Sequence, residues 1–282
     1  MNNLKTVGLL GFMSALVALI VMQFSDGFVI PLLFVVGLNF VAYFFSDKMA
    51  IAATRAKPVA EHELPQVYSI VSNLTARTGM PMPRIYVIDS PQPNAFATGR
   101  NPKHAAVAVT TGILQTLDNN ELEGVLAHEL AHVSNRDILI SSIAAMMAGA
   151  LTIFARMAFW FGGGGGRSRE NPLGAVIAIM SLILAPIAAM LIRTAISRTR
   201  EFQADHTGAE ITGSPLHLAS ALQKIAAGTE RIPMVVNPAT SQLFIENPLK
   251  AMRGRGMMNL LATHPPAEER IRRLTEMAQG LR

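Results

Sequence analysis

Two histidines four positions apart, with a glutamate beside the first, stand at His128-Glu129-Leu130-Ala131-His132. On a helix, positions i and i+4 share a face, so both imidazoles can reach one metal ion. Glu129, next to the first of them, is placed to orient and deprotonate a water molecule. The chain has seven histidines and thirteen glutamates among 282 residues. Chance would then produce roughly 0.008 matches to H-E-x-x-H, so a pair of unrelated histidines is a weak account. Catalytic zinc takes three protein ligands, and two imidazoles leave one to find. The chain contains no cysteine, which excludes thiolate ligands, a Cys nucleophile and a disulfide scaffold and leaves His, Asp or Glu. The best candidate is Glu201, in Ser197-Arg198-Thr199-Arg200-Glu201-Phe202-Gln203-Ala204-Asp205. Asp205, one helical turn further on, can accept the remaining N–H of a metal-bound histidine and hold its tautomer. The competing account is a solvated surface helix with Arg198 and Arg200 as salt-bridge partners.

Such chemistry is water-mediated hydrolysis. Glu129 takes the water's proton and hands it to the leaving amine, with no covalent intermediate. A silent metal-binding scaffold would need His128, His132 and Glu201 but would have no use for Glu129.

These side chains need helices to carry them. Asp118 with Glu121 three residues on is a capping-box start for the motif helix, which continues through Leu122, Val125 and Leu126. Glu61–Arg77 has a helical stripe at Leu64, Val67, Ile70, Val71 and Leu74, closed by Gly79. Arg84–Asp89 and Ala105–Thr111 are rich in Val, Ile, Tyr and Thr and bounded by turn formers, so they read as strands. The five glycines Gly162–Gly166 precede no GK[ST] sequence and make a flexible turn rather than a P-loop.

The remaining sequence is strongly apolar. Hydrophobic residues make up 50% and charged residues 15%, against about 25% charge in ordinary soluble domains, and mean hydropathy is +0.34. Four stretches carry no charge over a membrane-relevant length: Thr6–Ser25, Gly27–Ser46, Ile138–Ala155 and Asn171–Ile192. No small-residue cleavage site precedes Asp26, so the first reads as a retained anchor. Lys48, Arg55 and Lys57 follow the second, while the Ser25-Asp26-Gly27 turn has neither Lys nor Arg. Positive charge collects on the cytoplasmic side, which puts the N-terminus and everything after Lys48 inside.

The fourth stretch holds ten Leu, Ile and Val residues between Leu173 and Ile192, favouring insertion by about 5 kcal/mol. The third is weaker, with Ser141, Ser142, Gly149 and Thr152. This pair either crosses the bilayer or forms a hydrophobic hairpin packed against the rest or lying shallowly in the lipid. Two crossings or none return Glu201 to the side of His128 and His132, whereas one would separate them.

The expected fold class is therefore mainly α with a small β-sheet, integral to a membrane. Its expected parts are an N-terminal transmembrane hairpin (1–46), a first catalytic part with the motif helix (47–137), a second hydrophobic hairpin (138–192) and a second catalytic part (193–282). The net charge of +5 and predicted pI of 9.9 belong to the flanks of these segments. No Lys/Arg run interleaved with aromatics suggests nucleic acid, and no ionisable residue inside the stretches marks a transport path.

His128–His132, Arg198–Asp205, Asn94-Ala95-Phe96-Ala97 and Thr263-His264-Pro265-Pro266 together resemble the HtpX family of membrane-bound zinc endopeptidases. The likeness runs over nearly the whole chain. It implies a gluzincin-like metalloprotease domain, one Zn2+ per chain and a bacterial inner-membrane location. It also implies protein substrates: misfolded or damaged membrane proteins degraded in a stress response.

Five further candidates complete the site. Asn94 and Phe96 match the family's Asn-x-Phe segment near the substrate cleft, where an extended peptide can add to a sheet edge. The alternative is a simple turn, since Pro91, Pro93, Asn94 and Gly99 all favour one. His264 can donate to an oxyanion or serve as a packed residue at a helix start. Asn135 and Asp137, at the end of the motif helix, can support the histidines. His62, His104, His206 and His217 lack metal spacing and read as exposed or structural.

Overall fold

A long helix, α1 (Val29–Ala53), opens the described part of the chain and runs past Ser46 through Asp47 and Lys48. The computed structural model describes Gly11 and residues 29–135, 137–139, 141–143, 198–237, 240–251 and 265–280. The hydrophobic stretch Asn171–Ile192, nearly all of Thr6–Ser25, most of Ile138–Ala155, and His264 lie outside the described residues. Among the described residues no helix is long and apolar enough to cross a membrane. The apolar surface of α1 is nonetheless exposed at Val29, Leu33, Val36 and Phe40.

After α1 come β1 (Lys57–Pro58), α2 (Pro65–Thr78), β2 (Arg84–Ile88), β3 (Ala95–Thr98) and β4 (Ala106–Thr110). Helices α3 (Thr111–Thr116), α4 (Asn119–Ser134), α5 (Arg198–Thr212), α6 (Pro215–Arg231) and α7 (Ala267–Ala278) follow. The architecture is mainly helical with one small mixed sheet. Helix α2 begins at Pro65 rather than Glu61, because proline's fixed φ and missing N–H suit the first helical position. It ends where Gly79 turns left-handed at φ 67°.

The sheet order is β1-β2-β4-β3. β2 runs parallel to β4, with Arg84 opposite Ala106 and Ile88 opposite Thr110. β3 runs antiparallel to β4, with Ala95 opposite Val109 and Thr98 opposite Ala106. Thus the segment that reads equally as a turn is an edge strand. All four of its residues are buried, so it lacks the in–out alternation by which a strand is recognised. One sheet face packs Val107 and Val109 into the main core with Val71, Leu74, Leu122 and Leu126. The other packs Ala108, Ile88 and Phe96 against Phe244, Met234 and Ala50, which attaches the end of α1 to the sheet.

Candidate metal centre

Helix α4 is started by its own side chains. Asp118 Oδ1 accepts from the backbone N–H groups of Asn120 and Glu121, both at 2.9 Å. Glu121 Oε2 accepts the Asp118 N–H at 3.0 Å. Two orphan donors of the first turn are thereby satisfied, an arrangement worth about 1 kcal/mol. Glu121 also accepts from Ser220 Oγ at 2.6 Å and Lys224 Nζ at 2.7 Å, which joins the helix start to α6. Burial alone would push the Glu121 carboxyl up, and the bonds from Lys224 and Ser220 outweigh it to bring it down.

Helix α5 buries Arg200, Glu201, Ala204, Asp205, Gly208 and Ala209. These are adjacent pairs repeating every four residues, a stripe along one face. It lies across α4 where Gly208 faces His128. A Cβ on Gly208 would stand 3.0 Å from His128 N and 3.1 Å from its Cα, so the side-chain-free position sets how near the two helices come. Gly124 does the same one turn earlier, where a Cβ would meet the backbone of Leu218 on α6 at 2.7 Å.

This crossing brings the three expected ligands together. One ligand atom from each of His128, His132 and Glu201 lies within 4.8 Å of the others. His128 Nε2 is 3.8 Å from Glu201 Oε2, and His132 Nε2 is 3.6 Å from Glu201 Oε1. Tetrahedral zinc with bonds of about 2.1 Å separates its ligand atoms by about 3.4 Å, close to this spacing. Each Nδ1 faces a carboxylate: His128 Nδ1 lies 2.9 Å from Asp205 Oδ1, and His132 Nδ1 lies 3.4 Å from Asp137 Oδ2. Donation from Nδ1–H leaves each Nε2 lone pair turned toward Glu201, the tautomer a metal requires.

The charges point the same way. Glu129, Glu201, Asp137 and Asp205 surround the imidazoles, with Arg200 near Asp137 at 4.0 Å and Arg270 on Asp205. Burial raises the Glu129 carboxyl to about 7, even though His132 favours its charged form. Burial also opposes a charged His132, but Glu201 and Asp137 outweigh it and bring that imidazole up to about 9. His128 moves the opposite way, down to about 4, through burial and the nearby Arg270. Asp205 is held at about 2 because Arg270 outweighs the cost of burial.

Arg270, on α7, is a participant that sequence reasoning missed. It is fully buried and donates from NH2 and Nε to the two Asp205 oxygens at 2.6 and 2.9 Å. A third donation reaches Ile245 O at 3.1 Å. NH2 also lies 3.4 Å from both ring nitrogens of His128. The available signal was an arginine on the apolar side of an otherwise charged C-terminal helix.

Glu129 is buried, and its Oε2 accepts the backbone N–H of Ala97 at 2.7 Å. A cavity beside it is lined by Ala97, Glu129, His132, Arg200, Glu201 and Gln242, among others. Asn94 and Phe96 do not line it. Asn94 Nδ2 donates to Glu246 O at 2.8 Å and its Oδ1 accepts from Ala95 N at 3.1 Å. Phe96 stacks edge-on against Phe244, with ring centroids 5.1 Å apart. The open side of β3 is partly engaged already, since Ile245 N donates to Ala95 O at 2.9 Å. Asn135 ends α4, its N–H returning to Ala131 O at 2.9 Å.

Two imidazoles one turn apart, a buried carboxylate beside the first and a second carboxylate from a crossing helix define a metallopeptidase. The chain belongs to peptidase family M48, whose sequence profile matches residues 61–278. A protease HtpX homolog from Pelotomaculum thermopropionicum is 50% identical over 283 residues, covering 99% of this chain and 100% of the relative. One from Persephonella marina is 50% identical over 288 residues, covering 100% of this chain and 99% of the relative. The fold is similar to the crystal structure of S. mikatae Ste24p, at a TM-score of 0.50 and 20% identity. That similarity covers 97% of this chain, which spans 65% of the Ste24p chain.

Proposed function

We propose that the protein is a membrane-bound zinc endopeptidase that cleaves misfolded or damaged membrane proteins at the cytoplasmic face of a bacterial inner membrane. The observation that carries the reading is the convergence of His128, His132 and Glu201 beside the buried carboxylate of Glu129. His128, His132 and Glu201 would hold one Zn2+ per chain. When bound, zinc supplies a Lewis acid that acidifies water and polarises a peptide carbonyl.

The chain's own residues do the rest. Asp205 and Asp137 hold the two imidazoles in the Nδ1–H tautomer. The Ala97 N–H holds Glu129 against the cavity, where its carboxylate takes one proton from water. The resulting hydroxide adds to the peptide carbonyl carbon, and Glu129 returns the proton to the amine nitrogen as the C–N bond breaks.

The hydrophobic segments 1–46 and 138–192 would frame a protease domain built from 47–137 and 193–282. The close packing of α4 on α5 supports joining these two parts. The four uncharged stretches and the exposed apolar surface of α1 support the membrane reading, as does the similarity to HtpX homologs. A bilayer-tethered protease meets failed membrane proteins at raised local concentration, and this is the basis for a quality-control role under stress. Detergent-purified protein is expected to contain zinc near one per chain and to cleave casein or a membrane protein. Absence of zinc together with absence of cleavage would overturn the reading.

A further inference from the structure

The C-terminal half of α1, the start of β2 and the loop after β3 border an open cavity of about 300 Å³, remote in sequence from the metal-binding helices. It is at the lower end of small-ligand pockets, about 300–1,000 Å³. Its walls divide by chemistry. Lys48, Arg84 and Arg100 line one part, and Phe40, Phe44 and Phe45 another. Asp47 is the one carboxylate among the lining residues, and Arg84 NH2 already holds it at 2.8 Å. Among the described residues no carboxylate pairs with Lys48 or Arg100, so the cavity keeps an excess of two positive charges.

The aromatic rings hold these cations in place. The Arg100 guanidinium lies 5.2 Å from the Phe44 ring centroid, and its NH1 donates to Phe44 O at 3.3 Å. Lys48 Nζ lies 5.4 Å from the Phe45 centroid. Cations placed over ring faces are attracted to them while keeping donors free for an anion. Toward the start of α1 the aromatic wall runs on into exposed Phe40, Val36 and Leu33. The cavity thus joins an anion-attracting end to an apolar track along one helix.

We propose that this cavity binds the head group of an anionic phospholipid, with the phosphate at Lys48 and Arg100 and the acyl chains along the apolar side of α1. Charge complementarity and the continuous apolar track select a lipid over a small soluble anion, which would leave the track uncovered. The inference rests on the membrane reading above and adds a head-group preference to it. Juxtamembrane Lys and Arg each favour anionic lipid by a several-fold factor. Removing two should therefore weaken binding by about tenfold or more.

The test uses the full chain in a neutral detergent, with melting temperature followed as phosphatidylglycerol, phosphatidylcholine or inorganic phosphate is added. Phosphatidylglycerol should stabilise at the lowest concentration, and Lys48→Gln/Arg100→Gln should need about tenfold more of it. The response of that variant to phosphatidylcholine should be unchanged. Because Arg100 also braces Phe44, Lys48→Gln alone, at an exposed side chain, serves as the second variant and should show a several-fold loss. Zinc content reports that the metal centre of each variant is intact. Equal stabilisation by both lipids would overturn the head-group site while leaving the membrane reading in place. Stabilisation by neither lipid would overturn both. Full reproduction of the effect by inorganic phosphate, or an unchanged response in the variants, would also overturn the site.

Discussion

The Ala97 N–H donates to Glu129 Oε2 at 2.7 Å, tying the edge strand to the motif helix across 32 positions of sequence. The acceptor is thus held by a backbone N–H, which of the common substitutions at Ala97 only proline would remove. Glu129→Gln can still accept this bond through its amide oxygen but cannot take a proton from water. It is expected to retain zinc near one per chain and to lose peptide hydrolysis. Substantial remaining cleavage would remove Glu129 from the role of base.

Glu201→Ala removes the carboxylate on which both Nε2 atoms converge. Changes one shell further out typically weaken metal binding by about 10- to 100-fold, and loss of a ligand costs at least as much. Zinc and activity should disappear together. A variant with stoichiometric zinc and full turnover would mean that another group completes the site, and Asp205 would be tested next.

Asp205 binds His128 and Arg270 at once, and Arg270 is wholly buried. Asp205→Leu leaves that guanidinium without its bidentate partner and should cost about 3–5 kcal/mol. Adding Arg270→Met removes the stranded charge and should recover much of the loss in chemical denaturation. If the double variant is no more stable than the single one, the pair is not the source of the cost.

Gly208→Ala brings a methyl group against the His128 backbone. In a helix interior this change normally stabilises by about 1 kcal/mol. Here the crossing of α4 and α5 must open by a few tenths of an ångström, so a lower melting temperature and faster loss of zinc to a chelator are expected. A gain in stability with unchanged zinc retention would show that the crossing is not tight at this point.

Membrane sidedness can be read with single cysteines, since the chain has none of its own. Ser69 is an exposed position on α2, and Ser25 lies in the sequence where the first two hydrophobic stretches meet. In intact cells an impermeant thiol reagent should label a cysteine at Ser25 and spare one at Ser69. The opposite pattern would place the catalytic side outside the cytoplasm.

The grouping of His128, Glu129 and His132, the capped start of their helix and the choice of Glu201 were legible in the sequence. Each rests on a helical period of about 3.6 residues, and a period is a local property. The edge-strand character of Ala95–Thr98 was not legible, because a strand buried on both faces shows no alternation. The partnership of Arg270 with Asp205, 65 residues away, was equally hidden. So were the backbone hold on Glu129, the close approach at Gly208 and the inward turn of Asn94 and Phe96. In each case the decisive neighbour comes from another part of the chain. Which groups meet there depends on how α4, α5, α7 and the sheet pack against one another. Local spacing cannot encode that packing, because the same helical stripe can bury against many surfaces.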